Sequence, residues 1–236
     1  MRRLTIAIDG PGSSGKGTVA RGVAKALGYR YIDTGAMYRA VAWAAGERGV
    51  STADAEGVAV VACSLTVDFR WDGESQRVLC GGGDITEVIR SEDIGAGASA
   101  VSVHPRVRAA LLDAQRALAA GGGVVMDGRD IGTVVLPDAD VKVFLDAALV
   151  ERARRRHAEL EERGETVTLE QIMESLRARD DQDTRRAAAP LRPASDARRI
   201  DSTKQTAEEV ISVVLALVED RLRAGDQPAD PDVDTD

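Results

Sequence analysis

A chain of 236 residues, 44% hydrophobic and 30% charged, fits one sizeable soluble α/β domain carrying an insertion and is short for two independent ones. An aromatic content of 3% removes the stacking platforms of single-strand binders, and the net charge of -8 points the same way, so polymeric nucleic acid is excluded as a partner. Two cysteines, Cys63 and Cys80, form no CxxC pair, and no apolar run suits a signal peptide or a membrane span, so reduced thiols, no zinc site and a cytoplasmic location are expected.

The first predicted element is a short β-branched strand, Leu4 to Ile8, which ends at Asp9 and runs into the glycine-rich stretch Gly10 to Thr18. Apolar residues at helical spacing follow in "GTVARGVAKALG", with Gly28 as the stop. A second unit repeats the order: "YRYID" as strand, then "TGAMYRAVAWAAGERG" as a helix capped near Thr34 and ended by Gly49. From Leu65 to Ile85 the segments "LTVDFRW", "DGES", "QRVLC" and "GGGDI" predict short antiparallel strands joined by turns, a β excursion inserted into the α/β core.

The core resumes with the helix "VHPRVRAALLDAQRALAAGGG", which has Pro105 in its first turn, and with "GVVMDGRDIGTVV" and "VKVFLDA" as buried parallel strands. Leu149 to Arg186 is charged and helical, broken at "GETVT". "RRIDSTK" supplies the last strand, and "TAEEVISVVLALVEDRLR" closes the domain as an amphipathic helix opened by a Thr206 to Glu209 capping box. The remaining segment, 224–236, holds five Asp, two Pro and no basic residue, a composition expected to be disordered and solvating.

Between a strand and a helix, Gly10, Pro11, Gly12, Ser13, Ser14, Gly15, Lys16, Gly17 and Thr18 let backbone N–H groups wrap a phosphate while lysine supplies a mobile charge. Gly17 stands where the common pattern has Ser or Thr. A switch GTPase would need an Asn-Lys-x-Asp guanine reader, and the chain contains no asparagine. A second substrate site is suggested by "DTGAMYR", where Thr34, Tyr38 and Arg39 lie at the carboxyl end of a parallel strand; a capped helix with a surface arginine explains the same stretch.

In "VVMDGRDIGTVV" a strand ends in Asp127, placed to hold the hydration shell of Mg2+, followed by Arg129 and Asp130, which could also simply pair. Arg179, Asp183 and Arg186 share one helix face, a pattern also made by solvated ion pairs. His104 and His157 lack a neighbouring nucleophile. A phosphomonoester is already mostly dianionic at neutral pH, so a phosphate acceptor needs no general base; it needs cations against anion repulsion and a lid against water.

These motifs, "IDGPGSSGKGT", "DTGAMYRA", "DGRDIGTVV", "FLDA" with "ERARRR", and "RDDQDTRRAAAPL", resemble in order those of bacterial cytidylate kinases, over nearly the whole chain to about Leu222. The resemblance implies a P-loop kinase fold: a parallel sheet flanked by helices, an inserted β-containing monophosphate-binding region and a short helical lid. It divides 1–223 into a core of 1–33, 106–148 and 187–223, an acceptor region of 34–105 and a lid with flanking helices of 149–186. It implies ATP as phosphoryl donor, Mg2+, and CMP or dCMP as acceptor, with a monomer as one open possibility.

Residue by residue, the resemblance carries ATP onto Gly10 to Thr18, the transferred phosphoryl onto Lys16, the acceptor phosphate onto Arg39 and Arg129, and lid contacts onto Arg152, Arg155 and Arg156. Base and sugar fall to Thr34, Tyr38, Ser99, Arg108, Asp130, Arg179, Asp183 and Arg186. The "GKGT" ending is shared by adenylate and cytidylate kinases. A kinase for another monophosphate or a small metabolite, and an ATP-binding regulatory module without transfer, are the competing expectations; ADP formation with a panel of acceptors separates all three.

Overall fold

The computed structural model describes residues 3–72 and 75–225. The chain runs β1 (Thr5–Asp9), α1 (Lys16–Leu27), β2 (Arg30–Asp33), α2 (Thr34–Glu47), α3 (Ala55–Ser64), β3 (Val67–Asp72), β4 (Ser75–Cys80), β5 (Gly83–Asp84), α4 (Glu92–Ser102) and α5 (Pro105–Ala119). It continues through β6 (Val124–Gly128), β7 (Val141–Asp146), α6 (Leu149–Glu162), α7 (Leu169–Arg185), β8 (Arg198–Asp201) and α8 (Ala207–Gly225). The acidic segment lies outside the described residues from 226 onward, as does the middle of the "DGES" turn.

Five strands pair in parallel in the order β2-β6-β1-β7-β8, with β1 at the centre. Strand periodicity explains the layers. Ile6 and Ile8 of β1 point to one face, where Val19 and Val23 of α1 and Val210, Val214 and Val218 of α8 cover them. Ala7 and Met126 point to the other, under Met37 and Val41 of α2 and Val107 and Leu111 of α5. A strand buried on both faces reads as a continuous apolar run, as the "VVM" of β6 does. All five strands present their carboxyl ends on one side, where open parallel sheets bind ligands.

The β excursion forms a three-stranded antiparallel sheet, β3-β4-β5. It also covers a sheet edge, because β2 is an outer strand. Trp71 Nε1 and Gln76 Nε2 donate to the Tyr31 carbonyl at 3.0 and 2.9 Å, and the Arg30 guanidinium lies 5.3 Å from the Trp71 ring centroid. The insertion therefore holds the β2 backbone at the residue two before its end.

Helices α6 and α7 pack on each other through their own small cluster of Ala153, Leu160, Ile172 and Leu176, separate from the two clusters flanking the sheet. Thr168 and Gln171 form a capping box that starts α7. The closing helix has its expected box: Thr206 N donates to Glu209 Oε2 at 2.8 Å and Glu209 N to Thr206 Oγ1 at 3.2 Å.

Three sequence expectations change. The cap of α2 is Asp33, whose carboxylate accepts from Ala36 N, while Thr34 is the first helical residue. "GVVMDGRDIGTVV" is not one strand: β6 stops at Gly128 and Ile131–Val135 forms a π-helical turn, because Asp9 pulls in the N–H groups of Ile131 and Gly132. Helices α3 and α4 were not expected; their Val, Gly and Ser content hides them, though Asp54 and Ser91 cap both. Among the described residues no helix is long and apolar enough to cross a membrane.

Candidate active site

The phosphate loop leaves the central strand and turns directly into α1. Gly15 is left-handed at φ 88°, and α1 begins without a side-chain cap, so its first N–H groups stay free for an anion. A Cβ on Gly10 would lie 2.0 Å from the Leu145 carbonyl oxygen, so only glycine permits this approach of loop and β7. The Ser14 hydroxyl is fully buried and has no partner. Lys16 Nζ folds back to donate to the Pro11 carbonyl at 3.0 Å. Burial, with the Arg129 and Arg179 guanidiniums nearby, pushes the Lys16 ammonium pKa well down.

The loop's outer carbonyls are gripped by the lid helix. Arg152 Nη1 donates to Gly12 O at 3.1 Å and its Nη2 to Asp180 Oδ2 at 2.6 Å. Arg155 Nη1 donates to Ser14 O at 3.3 Å, and its Nη2 to Ser202 O at 2.7 Å. Arg156 pairs instead with Glu92 of α4 and with Glu159, linking the lid to the acceptor side. Arg154 is exposed.

Three carboxylates stand at strand ends. Asp9, at the end of β1, accepts from Ile131 N at 2.7 Å and Gly132 N at 2.8 Å, and burial raises its pKa to about 7. Asp127, in β6, accepts the Tyr31 phenol at 2.9 Å; burial and the Asp33 charge raise its pKa to about 6. Asp33 is paired with Arg39 Nη2, and although burial opposes ionisation, Arg39 outweighs it and its pKa is lowered. Thr34 Oγ1 donates to the Asp127 carbonyl at 2.8 Å, so its hydroxyl braces β6. A Cβ on Gly128 would meet Thr34 Oγ1 and Ile131 Cδ1 at 2.7 Å, which explains the glycine between Asp127 and Arg129.

The Asp9 latch gives a stability test. Replacing Asp9 with Asn puts an amide N–H against one buried backbone donor, and unfolding free energy at pH 5 falls by about 1–3 kcal/mol. A raised carboxyl pKa stabilises the fold fully below the ordinary value near 4 and ceases to do so as pH passes about 7. Urea titrations at pH 5 and pH 8 therefore find a smaller gap between wild type and Asp9→Asn at pH 8.

On the acceptor side, charges alternate. Arg129 Nε donates to Asp183 Oδ2 at 2.9 Å, and Arg186 Nη1 to Asp183 Oδ1 at 3.4 Å. Arg108 pairs with Asp130, whose Oδ1 is 3.6 Å from Arg186 Nη2. The Arg108 guanidinium lies 5.3 Å from the Tyr38 ring centroid, and burial raises the Tyr38 phenol pKa. Burial works against Asp183, but Arg129, Arg179 and Arg186 together lower its pKa. Ser99 offers both its carbonyl and its hydroxyl oxygen to Gln182 Nε2, each at 2.8 Å. Since Gln182 occupies a lone pair of the Ser99 hydroxyl, the Ser99 proton remains available to donate.

Most buried polar groups find partners in a folded chain, so exceptions call for a cause. Among the described residues, the buried side-chain atoms left without one include Ser14 Oγ, Arg39 Nε, Arg179 Nε and Arg186 Nη2. Burial and the Arg129 charge lower the Arg179 pKa to about 10. These atoms belong to residues that the sequence motifs singled out.

The donor set also suits a hard cation. Asp33 and Asp127 offer carboxylate oxygens, and among the described residues no three His, Cys, Asp or Glu groups converge to cage a metal by themselves. That fits Mg2+, which keeps waters and takes one or two carboxylates plus substrate phosphates.

Sequence reasoning did not single out Asp9, Tyr31, Asp180, Gln182 or Ser202. Asp9 was legible from its place at the end of the central strand. The others bind through backbone carbonyls or residue pairs distant in sequence, which no local spacing reveals.

A family model described as cytidylate kinase matches residues 6–220. A protein named cytidylate kinase from Stutzerimonas stutzeri is 49% identical over 222 residues, covering 93% of this chain and 97% of its own. One so named from Geobacter sp. is 49% identical over 224 residues, covering 95% and 96%. A third, from Pelotomaculum thermopropionicum, is 51% identical over 214 residues, covering 90% and 95%.

Proposed function

The chain belongs to the cytidylate kinase family and is a nucleoside monophosphate kinase acting on CMP and dCMP; we propose that the phosphoryl donor is ATP, with Mg2+, and that the site residues divide the work as follows. The observation that supports this most is the set of buried atoms without a hydrogen bond within the chain, Ser14 Oγ, Arg39 Nε, Arg179 Nε and Arg186 Nη2, running from the phosphate loop to the acceptor side. Such groups are costly unless a ligand meets them, at about 1–3 kcal/mol each.

ATP binds by its phosphates along Gly10 to Thr18, whose free amides and the α1 N-terminus face the anion. Lys16 leaves the Pro11 carbonyl and follows the transferred phosphoryl group. Bound Mg2+ would neutralise charge on the donor phosphates, and Asp127, with Asp33 beside it, would hold it through water. Arg39 and Arg129 fix the acceptor phosphate, and an oxygen of that dianion attacks the γ-phosphorus as the bond to ADP breaks. No proton has to be removed, which accords with the lack of a histidine at the site.

Arg152 and Arg155 support the loop from the lid and, with Arg156, exclude water. The proposed acceptor region 34–105 and lid 149–186 are supported by the separate antiparallel sheet and the separate α6–α7 cluster. Cytosine presents an N4 amine to Asp130 and its O2 and N3 acceptors to Arg108, Arg186 and the Ser99 hydroxyl. Tyr38 lies against the Arg108 guanidinium, Thr34 braces the strand beneath, and Asp183 and Arg179 face the sugar.

A coupled ADP assay with ATP, Mg2+ and a panel of monophosphates tests the assignment: CMP and dCMP turn over fastest and ADP does not form without an acceptor. Equal rates with all acceptors contradict it. Asp130→Ala lowers kcat/KM for CMP by roughly tenfold to a hundredfold, the value of one base-edge contact, and lowers that for UMP less. An unchanged CMP to UMP ratio removes Asp130 from base recognition.

A further inference from the structure

Gly17 follows the phosphate-loop lysine, at the position where a Ser or Thr hydroxyl ordinarily meets Mg2+. A Cβ at position 17 would lie 3.5 Å from Tyr31 Oη and 3.9 Å from Asp127 Oδ2. The space into which a residue-17 side chain would grow is thus already faced by another hydroxyl.

We propose that Tyr31 is a positioning residue for the metal-bound donor nucleotide: from β2 it delivers to Asp127 the hydroxyl that Gly17 cannot carry. The proposal rests on the ATP and Mg2+ assignment above. Tyr31 Oη donates to Asp127 Oδ1 at 2.9 Å, which fixes the carboxylate rotamer and leaves Oδ2 toward the start of α1. The phenol cannot swing away. Tyr31 is 7% exposed in the core beside α1, the Arg21 guanidinium lies 5.5 Å from its ring centroid, and Trp71 and Gln76 hold its backbone carbonyl. The β insertion, otherwise remote from the phosphates, thereby helps to set the metal-facing carboxylate.

The swap is testable because contacts of 3.5 and 3.9 Å leave room for a serine once the phenol oxygen is gone. Three variants are compared with wild type: Tyr31→Phe, Gly17→Ser, and both together. One readout is the Mg2+ concentration giving half-maximal CDP formation. The other is independent of turnover: Mn2+ affinity, by electron paramagnetic resonance, of the protein with a non-hydrolysable ATP analogue and no CMP.

Tyr31→Phe raises both constants by roughly tenfold to a hundredfold, the value of one hydrogen bond to a charged group, and leaves KM for CMP within about twofold. The double variant returns both metal constants to within about twofold of wild type, which a merely structural loss of the phenol would not allow. Metal constants unchanged in Tyr31→Phe, or no recovery in the double variant, overturn the role of Tyr31. A wild type whose Mn2+ binding ignores the nucleotide overturns the underlying Mg2+ assignment instead.

Discussion

Lys16→Ala lowers kcat by about a thousandfold while KM for CMP stays within about threefold, because the ammonium follows charge that develops only as the phosphoryl group moves. Lys16 rests on the Pro11 carbonyl, and burial with neighbouring arginines disfavours its charge. A triphosphate reverses that balance, since opposite charges 4 Å apart gain about 4 kcal/mol at an effective dielectric of 20. Lys16→Arg does not restore the rate, because a planar fork cannot follow the path of a compact ammonium between loop and phosphate. Steady-state kinetics with CMP and UMP check this; a loss confined to CMP would move Lys16 from the phosphoryl group to the base.

Arg129→Ala lowers kcat/KM for CMP by roughly a hundredfold to a thousandfold, with KM for CMP rising as well. Two losses combine. In the proposed assignment the acceptor phosphate loses a guanidinium, and Asp183, 4% exposed, loses its 2.9 Å bond to Arg129 and is left to Arg179 and Arg186. Less of the Asp183 negative charge is then offset, and it opposes an anionic acceptor. Arg154→Ala is the control: its side chain is 67% exposed and among the described residues its ion pair is with Glu151 at 3.8 Å, so its loss leaves rates unchanged within twofold. A fall as large for Arg154→Ala as for Arg129→Ala would mean that bulk positive charge, rather than placed guanidiniums, governs acceptor binding.

The βα order, the phosphate loop and the closing capped helix were legible because each is written in local chemistry: β-branched runs, glycines and a Thr-x-x-Glu box. The site arginines and aspartates were legible as motif members, but their pairing was not. Arg129 and Asp130 are neighbours that could have bonded each other, yet Arg129 turns to Asp183 and Asp130 to Arg108, 54 and 22 residues away. The π-helical turn was hidden for the same reason: "IGTVV" has strand composition, and what bends it is Asp9 across the sheet. Tyr31 in "YRYID" looked like an ordinary strand aromatic until its hydroxyl was seen beside Gly17 and Asp127.

Phosphoryl transfer to a cytosine monophosphate is tested most directly by a 31P NMR progress curve with ATP, Mg2+ and equal CMP and UMP in one tube. CDP is expected to grow one for one with ADP while most UMP remains. Inorganic phosphate accumulating with ADP, or UDP growing as fast as CDP, would contradict it.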